Sequence, residues 1–524
     1  MRILLSFSLL ILTLCSFSQQ TLVPLTENHY KIDEEINVSN KYIHTGFKPL
    51  YTGYLSEYFN TDSLMYGTNR DSLILSKIKG KTLNWFWRKL RTEDFLFVDT
   101  TDFKLAINPL INIFEGKISG IDSDSLYRQN TRGIMVKGNI GKKLAFYSDF
   151  FENQAFYPDY VNEYIIKHRV APGQGRVRIF KQTGYDYSSA QGYLVFEPYK
   201  FLNFQAGHYK NFIGEGYRSL LLSDVSYSYP FFKTTLTWKR LQYIYMLSSH
   251  QEVSMIDSRS LVYQRKHGSF NYLNFIIHKN IQLGLFEAVM WKTTDSTGNN
   301  KFSLNYFNPV LFERVLQYGL NSENNILLGA QAKVKLARSL QAYGQFLLDD
   351  FETGIFGKKY GYQAGIKIFS PFKIHNLFIQ TEYNFVSPHT YAHNNIRQNY
   401  TNANEPLAHP LGSDFKEIFF RLTYNLKDLY FDFKYSYAEV GENSDIFIPD
   451  TAVLQTVNNQ GFISESYLVK NLTMTLSYLL NPKTDLRLFI KYHRREFINS
   501  INKNDMNSIS FGISTSLYNY YYDF

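Results

Sequence analysis

Residues 508–517 alternate with a period of two. Ile509, Phe511, Ile513 and Leu517 are separated by Ser508, Ser510, Gly512, Ser514 and Ser516. A period of two marks a β-strand whose two faces meet different surroundings. The pattern recurs upstream, in Ile418, Phe420, Leu422 and Tyr424, and again in Leu429, Phe431, Phe433 and Tyr435 against Tyr430, Asp432, Lys434 and Ser436. From about Phe103 the chain repeats one unit of strand, short turn, strand and long polar loop. Short turns are expected at Gly141–Lys143, Glu197–Phe201, Pro230–Lys233, Lys279–Asn280, Ala337–Ser339, Ser370–Asn376, Leu426–Asp428 and Asn481–Thr484. Most are rich in Pro, Asn, Gly or Lys. Strands counted around these turns number eighteen, from 103–113 to 507–518.

A soluble sandwich buries its apolar face, whereas a barrel in lipid turns that face outward and encloses small polar groups. An even strand count closes a single-chain barrel, and an open edge in lipid would leave backbone groups unpaired at several kcal/mol each. Short turns on one side and long loops on the other place the loops outside the cell. The predicted fold is all-β: a transmembrane antiparallel β-barrel of about 18 strands, spanning residues 101–524. After Leu517 the phase slips by one, and Tyr518, Tyr520, Tyr522 and Phe524 alternate. This stretch reads as a strand closing at an aromatic belt. It resembles the C-terminal assembly signal of bacterial outer-membrane barrels, so outer-membrane lipid and the barrel-assembly machinery are expected partners.

Residues 1–18 read as a signal peptide, with Arg2 before an apolar run too short to span a bilayer and Ser16-Phe17-Ser18 ahead of Gln19. Cys15, the only cysteine, lies within it. A mature chain without cysteine has no disulfide, thiolate metal site or cysteine nucleophile. Aromatic residues make up 17% of the chain, yet the mean hydropathy is −0.28 and no later run suits a membrane helix. Tyrosine at interfaces and water on half of each strand fit a barrel. The net charge of +9 would draw acidic polymers, and secretion excludes nucleic acid as a partner. Residues 19–100 form a separate, mixed segment on the periplasmic side. Its one helical candidate, near Asp71–Arg91, carries Trp85, Phe86, Trp87 and Leu90 beside Arg88, Lys89 and Arg91. It suits either a domain in the barrel mouth or a short interfacial helix.

Several segments resemble outer-membrane barrels of the Wzi type, which assist capsule assembly. They look closest to the Bacteroidota branch that includes the gliding-motility protein RemB. These segments are Ile43–Leu50 (IHTGFKPL), Thr131–Tyr160 (TRGIMVKGNIGKKLAFYSDFFENQAFYPDY), Gly214–Asp224 (GEGYRSLLLSD) and Asn305–Tyr318 (NYFNPVLFERVLQY). The resemblance implies an eighteen-stranded barrel with a small helical periplasmic part, acting as a surface lectin that retains polysaccharide.

The sequence offers no catalytic constellation: H-E-x-x-H, G-x-S-x-G and phosphate-loop motifs are absent. No enzyme activity, cofactor or metal is expected. His389 and His393 are four apart but sit in a polar loop without a helical pattern. The loop Pro388–Asp414 is the ligand candidate, through Tyr391, His393, Asn394, Arg397, Asn399 and Tyr400. Sugars need amides and guanidinium groups for their hydroxyls and aromatic faces for their C–H surfaces. Two segments read as lumen plugs that fold inward, Gly214–Asp224 with Glu215, Tyr217 and Arg218, and Asn305–Tyr318 with Glu313 and Arg314. The functional expectation is a polysaccharide-binding or anchoring barrel in capsule assembly or gliding. The alternative is a diffusion channel, since eighteen strands leave a wide lumen unless it is filled.

Overall fold

In the computed structural model the described residues are 21–26, 30–66, 84–120, 126–255, 261–293, 308–313, 324–350, 359–447, 466–515 and 518–524. Eighteen long antiparallel strands close into a barrel. They are β1 (Phe103–Gly120), β2 (Leu126–Ile140), β3 (Leu144–Phe156), β4 (Gly184–Tyr199), β5 (Leu202–Tyr209), β6 (Tyr229–Trp238), β7 (Leu241–Met255), β8 (Leu261–His278) and β9 (Ile281–Lys292). The second half comprises β10 (Asn325–Ala337), β11 (Leu340–Asp350), β12 (Lys359–Phe369), β13 (Leu377–Val386), β14 (Phe415–Leu426), β15 (Leu429–Val440), β16 (Tyr467–Asn481), β17 (Leu486–Asn499) and β18 (Lys503–Ser514). β18 returns to pair with β1, Ser514 opposite Asn112 and Met506 opposite Gly120. No described helix is long and apolar enough to cross a membrane.

The alternation is inverted relative to a soluble protein. Ile509 and Phe511 are 58% and 64% exposed, while Ser508 and Ser510 face the lumen and are buried. Along the inner wall stand Gln191, Gln205, Lys233, Lys266, Lys333 and Gln345, all buried. Outward-facing apolar side chains cost nothing in lipid, and inward polar ones meet partners in a filled lumen.

Most short turns lie where their Pro, Asn and Gly residues put them. The exception is Pro230, which the sequence suggested as a turn. It opens β6 instead, paired with His208, and the actual turn is at Lys239–Arg240. Proline is tolerated at the first residues of a strand, where no ladder hydrogen bond needs its missing N–H.

The seam differs from the expected closing strand. β18 stops at Ser514, and Thr515 caps it through hydrogen bonds with Ile111. The unpaired lower half of β1 is instead covered by the short strand Leu96–Asp99, which pairs with Lys104–Ile107. Residues 518–524 leave the wall and run through the lumen. Tyr518 donates to Asp149, Tyr521 donates to Asp224 at 2.8 Å and Asp523 meets Arg218 at 3.1 Å. The aromatic-belt reading of these residues is therefore corrected. Their tyrosines carry hydroxyls that bond buried carboxylates of the lumen, which lipid could not supply.

The N-terminal helices α1 (Tyr30–Val38), α2 (Thr52–Ser56) and α3 (Thr61–Tyr66) share a small core of Ile32, Ile36, Ile43 and Leu55. They stopper the short-turn end. Asn37 donates to Ala337 O and Arg338 O, Lys335 to Ile36 O, and His44 meets Lys239 O. Phe47–Lys48 then reaches into the lumen and pairs with Phe212–Ile213. The helical candidate around Asp71–Arg91 is described as α4 (Trp85–Arg91), while its earlier part and residues 1–18 lie outside the described residues. Trp85, Phe86 and Trp87 are 57%, 57% and 43% exposed, and Asn481 ties the helix at Lys89 O and the following turn at Glu93 O to the wall.

Candidate functional site

The loop Gly214–Asp224 folds inward. Leu220, Leu221 and Leu222 are fully buried and pack with Phe286, Met246, Leu327 and Leu347. Each leucine removed from water stabilises the plug by roughly 1.5–3 kcal/mol. Its charged residues bolt it to both sides. Glu215 accepts from Thr45 and pairs with Lys333 at 3.3 Å and Lys48 at 3.8 Å. Arg218, with no exposure, lies 3.2 Å from Glu417 and 4.8 Å from the centre of the Tyr217 ring. Burial pulls its pKa down, but Asp523 and Glu417 outweigh this and hold it well above the usual arginine range. Tyr217 stacks flat on Phe419 at 3.9 Å.

The loop 388–414 closes over this plug. Tyr391 donates to Leu220 O at 2.8 Å and Tyr400 to Leu221 O at 2.7 Å. Both are buried, as is Asn399, whose amide donates to Ile446 O at 2.5 Å. Of the six residues expected to touch ligand, only His393, Asn394 and Arg397 keep appreciable exposure. The loop's aromatic rings gain more by covering leucines than by facing water. Glu405 accepts from the backbone N–H groups of Gly173 (2.6 Å) and Tyr227 (2.8 Å), and burial pushes its carboxyl up to about 7 against those bonds.

The second expected plug is a correction. Facing is fixed by Gly329, whose missing Cβ would point at Leu221 in the lumen. Its cross-strand partner Phe286 is therefore inward, and Glu287, opposite Leu328, is outward. The described part of the segment, 308–313, lies against that outer face: Phe312 N–H donates to Glu287 at 3.0 Å, and Tyr243 donates to Pro309 O. Asn271 also bonds Glu287, at 3.0 Å. A carboxylate facing lipid needs donors and a cover, and this segment supplies both. Glu313 is thus on the outer wall, not in the lumen, while Arg314 lies outside the described residues.

An open cleft lies at the long-loop end, where no single stretch of sequence announces it. α5 (Asp159–His168) begins after Pro158 and ends at Arg169 in the left-handed conformation. Val161 and Ile165 bury against Tyr157, Tyr185 and Tyr187. The helical period then turns Tyr160, Glu163, Tyr164 and Lys167 together onto the opposite face. They line a cleft of about 630 Å³, completed by residues 410–412 and 444–447 and the outer ends of β16–β18.

Phe524 forms its inner end, 4.7 Å from the Tyr164 ring and 5.9 Å from Tyr160. Arg495 lies 4.4 Å over Tyr160 and donates to Phe524 O at 3.1 Å. Lys167 pairs with Asp445 at 2.8 Å, clamping the helix to the facing loop. His168 bonds Asn404 O at 2.8 Å, and burial lowers its pKa to about 4, so it is neutral at pH 7. Aromatic faces from Tyr164, Phe447, Tyr467 and Phe497 therefore stand among amides and charges from Asn502, Asn504, Glu163 and Arg495. This surface can stack sugar rings and bond their hydroxyls. Among the described residues, no group of three His, Cys, Asp or Glu side chains could hold a metal ion.

Residues 160–508 match the family model described as capsule assembly protein Wzi. No curated protein matches the chain. Among solved structures, the chain is similar to Wzi of Escherichia coli, an outer-membrane protein involved in group 1 capsule assembly and described as a carbohydrate-binding β-barrel. The identity is 15% and the TM-score 0.55, over 95% of this chain and 100% of that one. Weaker likenesses include OpdO of Pseudomonas aeruginosa (12% identity, TM-score 0.43, 79% of this chain and 98% of that one) and OccAB2 of Acinetobacter baumannii (13% identity, TM-score 0.43, 79% and 98%).

Proposed function

The chain belongs to the Wzi capsule-assembly family, and on that premise we propose that this Gram-negative outer-membrane barrel holds polysaccharide at the cell surface without transforming it. The observation that carries the proposal is the cleft between α5 and the outer ends of β16–β18, with aromatic faces beside hydrogen-bonding groups. The filled lumen supports an anchor over the diffusion-channel reading: the N-terminal helices, the 214–224 plug, the 388–414 loop and residues 518–524 all occupy it. His393, Asn394 and Arg397 extend the proposed binding surface on the same outer side, and Asn399 acts through the Ile446 carbonyl beside the cleft. Residues 19–100 serve as the periplasmic part, a stopper followed by the interfacial helix α4.

The finer assignment, to the Bacteroidota branch that includes RemB, carries a role in gliding. Its support is the resemblance of the quoted segments, of which Ile43–Leu50 and Gly214–Asp224 meet in the lumen through Thr45 and Glu215. Deletion of the gene is expected to lower retained surface polysaccharide on staining and to reduce spreading on soft agar, both restored by the wild-type chain. Unchanged staining in the deletion strain contradicts the binding proposal, and unchanged spreading contradicts the gliding assignment alone.

A further inference from the structure

Three cavities lie in file along one side of the lumen. An inner chamber of about 890 Å³ opens among Lys104, Lys137, Tyr147 and Asn425 near the short-turn end. A middle one of about 310 Å³ is lined by Phe114, Tyr127, Lys491 and Ser510. The outer one is the 630 Å³ cleft. Their positions along β17 and the turn before it rise in order: Asp485 and Arg487, then Phe489 and Lys491, then Arg495 and Phe497. Neighbouring cavities share lining residues. Arg487 and Tyr518 border the first two, and Tyr160 borders the last two.

Aromatic faces continue along the whole file. Tyr147 stacks on Tyr193 at 5.3 Å in the inner chamber, Phe114 meets Tyr127 at 5.1 Å in the middle, and Tyr164 meets Phe524 in the cleft. Polar groups stand beside them. The Asn425 side chain, 3% exposed, has neither amide atom bonded to protein among the described residues, and Asp149 Oδ1 is likewise unbonded. Faces for sugar rings at intervals, with hydrogen-bonding groups between, describe a track for a chain of such rings and not one closed site.

We propose that this file of cavities is a route through the barrel for a linear, hydroxyl-rich saccharide, closed at rest by two side-chain gates. The inner gate is Tyr518 with Arg487, and the outer gate is Tyr160. Arg487 is held by Asp485 at 2.7 Å and by the Tyr430 ring at 4.2 Å. Tyr160 is held by its bond to Tyr522 O at 3.0 Å and by Arg495. Tyr518 is held by its bond to Asp149 and by the Tyr147 hydroxyl at 3.3 Å; its ring turns while the backbone of residues 518–524, which forms one side of the route, stays in place. The saccharide cargo rests on the function proposed above, whereas the route itself does not.

The test uses the full chain with Cys15→Ser, reconstituted in planar bilayers, with folding checked by heat-dependent gel mobility. The Tyr160→Ala/Tyr518→Ala variant is expected to raise steady conductance at least tenfold, and millimolar linear neutral hexasaccharide is expected to block that current reversibly. Ser510→Cys, placed in the middle cavity, should react with a small charged thiosulfonate from both sides in the gate variant and from neither side with the gates intact. A folded gate variant that stays non-conducting, with Ser510→Cys unlabelled, overturns the route. Conductance and labelling without hexasaccharide block overturn the saccharide as cargo. Should the double variant not fold, Arg487→Ala with Tyr160→Ser is read in the same two assays.

Discussion

Arg218→Ala is expected to release residues 518–524 while leaving the wall intact. The guanidinium is fully buried, 3.2 Å from Glu417 and 3.1 Å from Asp523, and also bonds Asp523 O at 3.2 Å. It lies over the rings of Tyr217 and Tyr521 at 4.8 and 5.3 Å. Removing one member of a buried ion pair costs about 3–5 kcal/mol, because the partner charge is left uncompensated. A cavity of about 130 Å³ borders Tyr217 and Tyr521 and leaves room for the site to relax, which places the cost near the lower end. About 3 kcal/mol corresponds to roughly a hundredfold in an opening equilibrium. No ladder bond between β13, β14 and β15 uses this side chain, so the heat shift on gels should persist. The assay is chymotrypsin cleavage at Tyr518–Tyr522 in detergent under native conditions. Cleavage should accelerate roughly a hundredfold in Arg218→Ala and less in Arg218→Lys, which keeps the charge but not the two-pronged reach. Equal cleavage rates for folded wild type and Arg218→Ala would refute this account of the buried network.

Gly329→Val should push the plug, since a Cβ there would stand 2.4 Å from Leu221 Cδ2. Overpacking of this kind costs about 1–3 kcal/mol, read as a lower melting temperature in detergent with the heat shift retained. Packing around Glu405 should weaken as pH rises. Its folded pKa of about 7 exceeds the ordinary value of 4.5, so the folded state holds the proton more tightly, and that contribution is full below 4.5 and lost as pH rises to 7. Lys210 and the Tyr164 hydroxyl face the carboxyl. His168, which bonds the adjoining Asn404 carbonyl, titrates near 4 and is neutral across most of this window. Glu405→Gln should flatten the fall in melting temperature between pH 5 and 8. Replacing exposed Trp85, Phe86 and Trp87 by Ser should leave the barrel folded but cut quenching of tryptophan emission by brominated lipid.

The wall was legible because alternation in lipid is a local property: Ile509 and Phe511 against Ser508 and Ser510 carry it without reference to distant residues. The Leu220–Leu222 plug was legible for a similar reason, as three adjacent leucines in a loop have no favourable place in water. The last residues misled because Tyr518, Tyr520 and Tyr522 show the same period whether the rings meet an interface or lumen carboxylates such as Asp149. Pro309 and Phe312 read as apolar loop residues, and nothing local says which face of the wall they cover; that is set by Glu287, which becomes outward only through its register opposite Leu328. Leu96–Asp99 was missed because four residues are too few for a period. The cleft is drawn from α5, two loops, three strand ends and Phe524, so only the folded chain brings its rings together.

Equilibrium binding of surface polysaccharide from the native strain to the purified barrel, immobilised in detergent, tests the central claim most directly. Tyr164 and Tyr467 carry aromatic faces of the cleft and lie outside the Arg218 network. Wild type is expected to bind saturably, and Tyr164→Ala/Tyr467→Ala to lose at least tenfold in affinity with an unchanged heat shift. Undiminished binding by the double variant, or no binding by the folded wild type, contradicts the cleft as the site where polysaccharide is held.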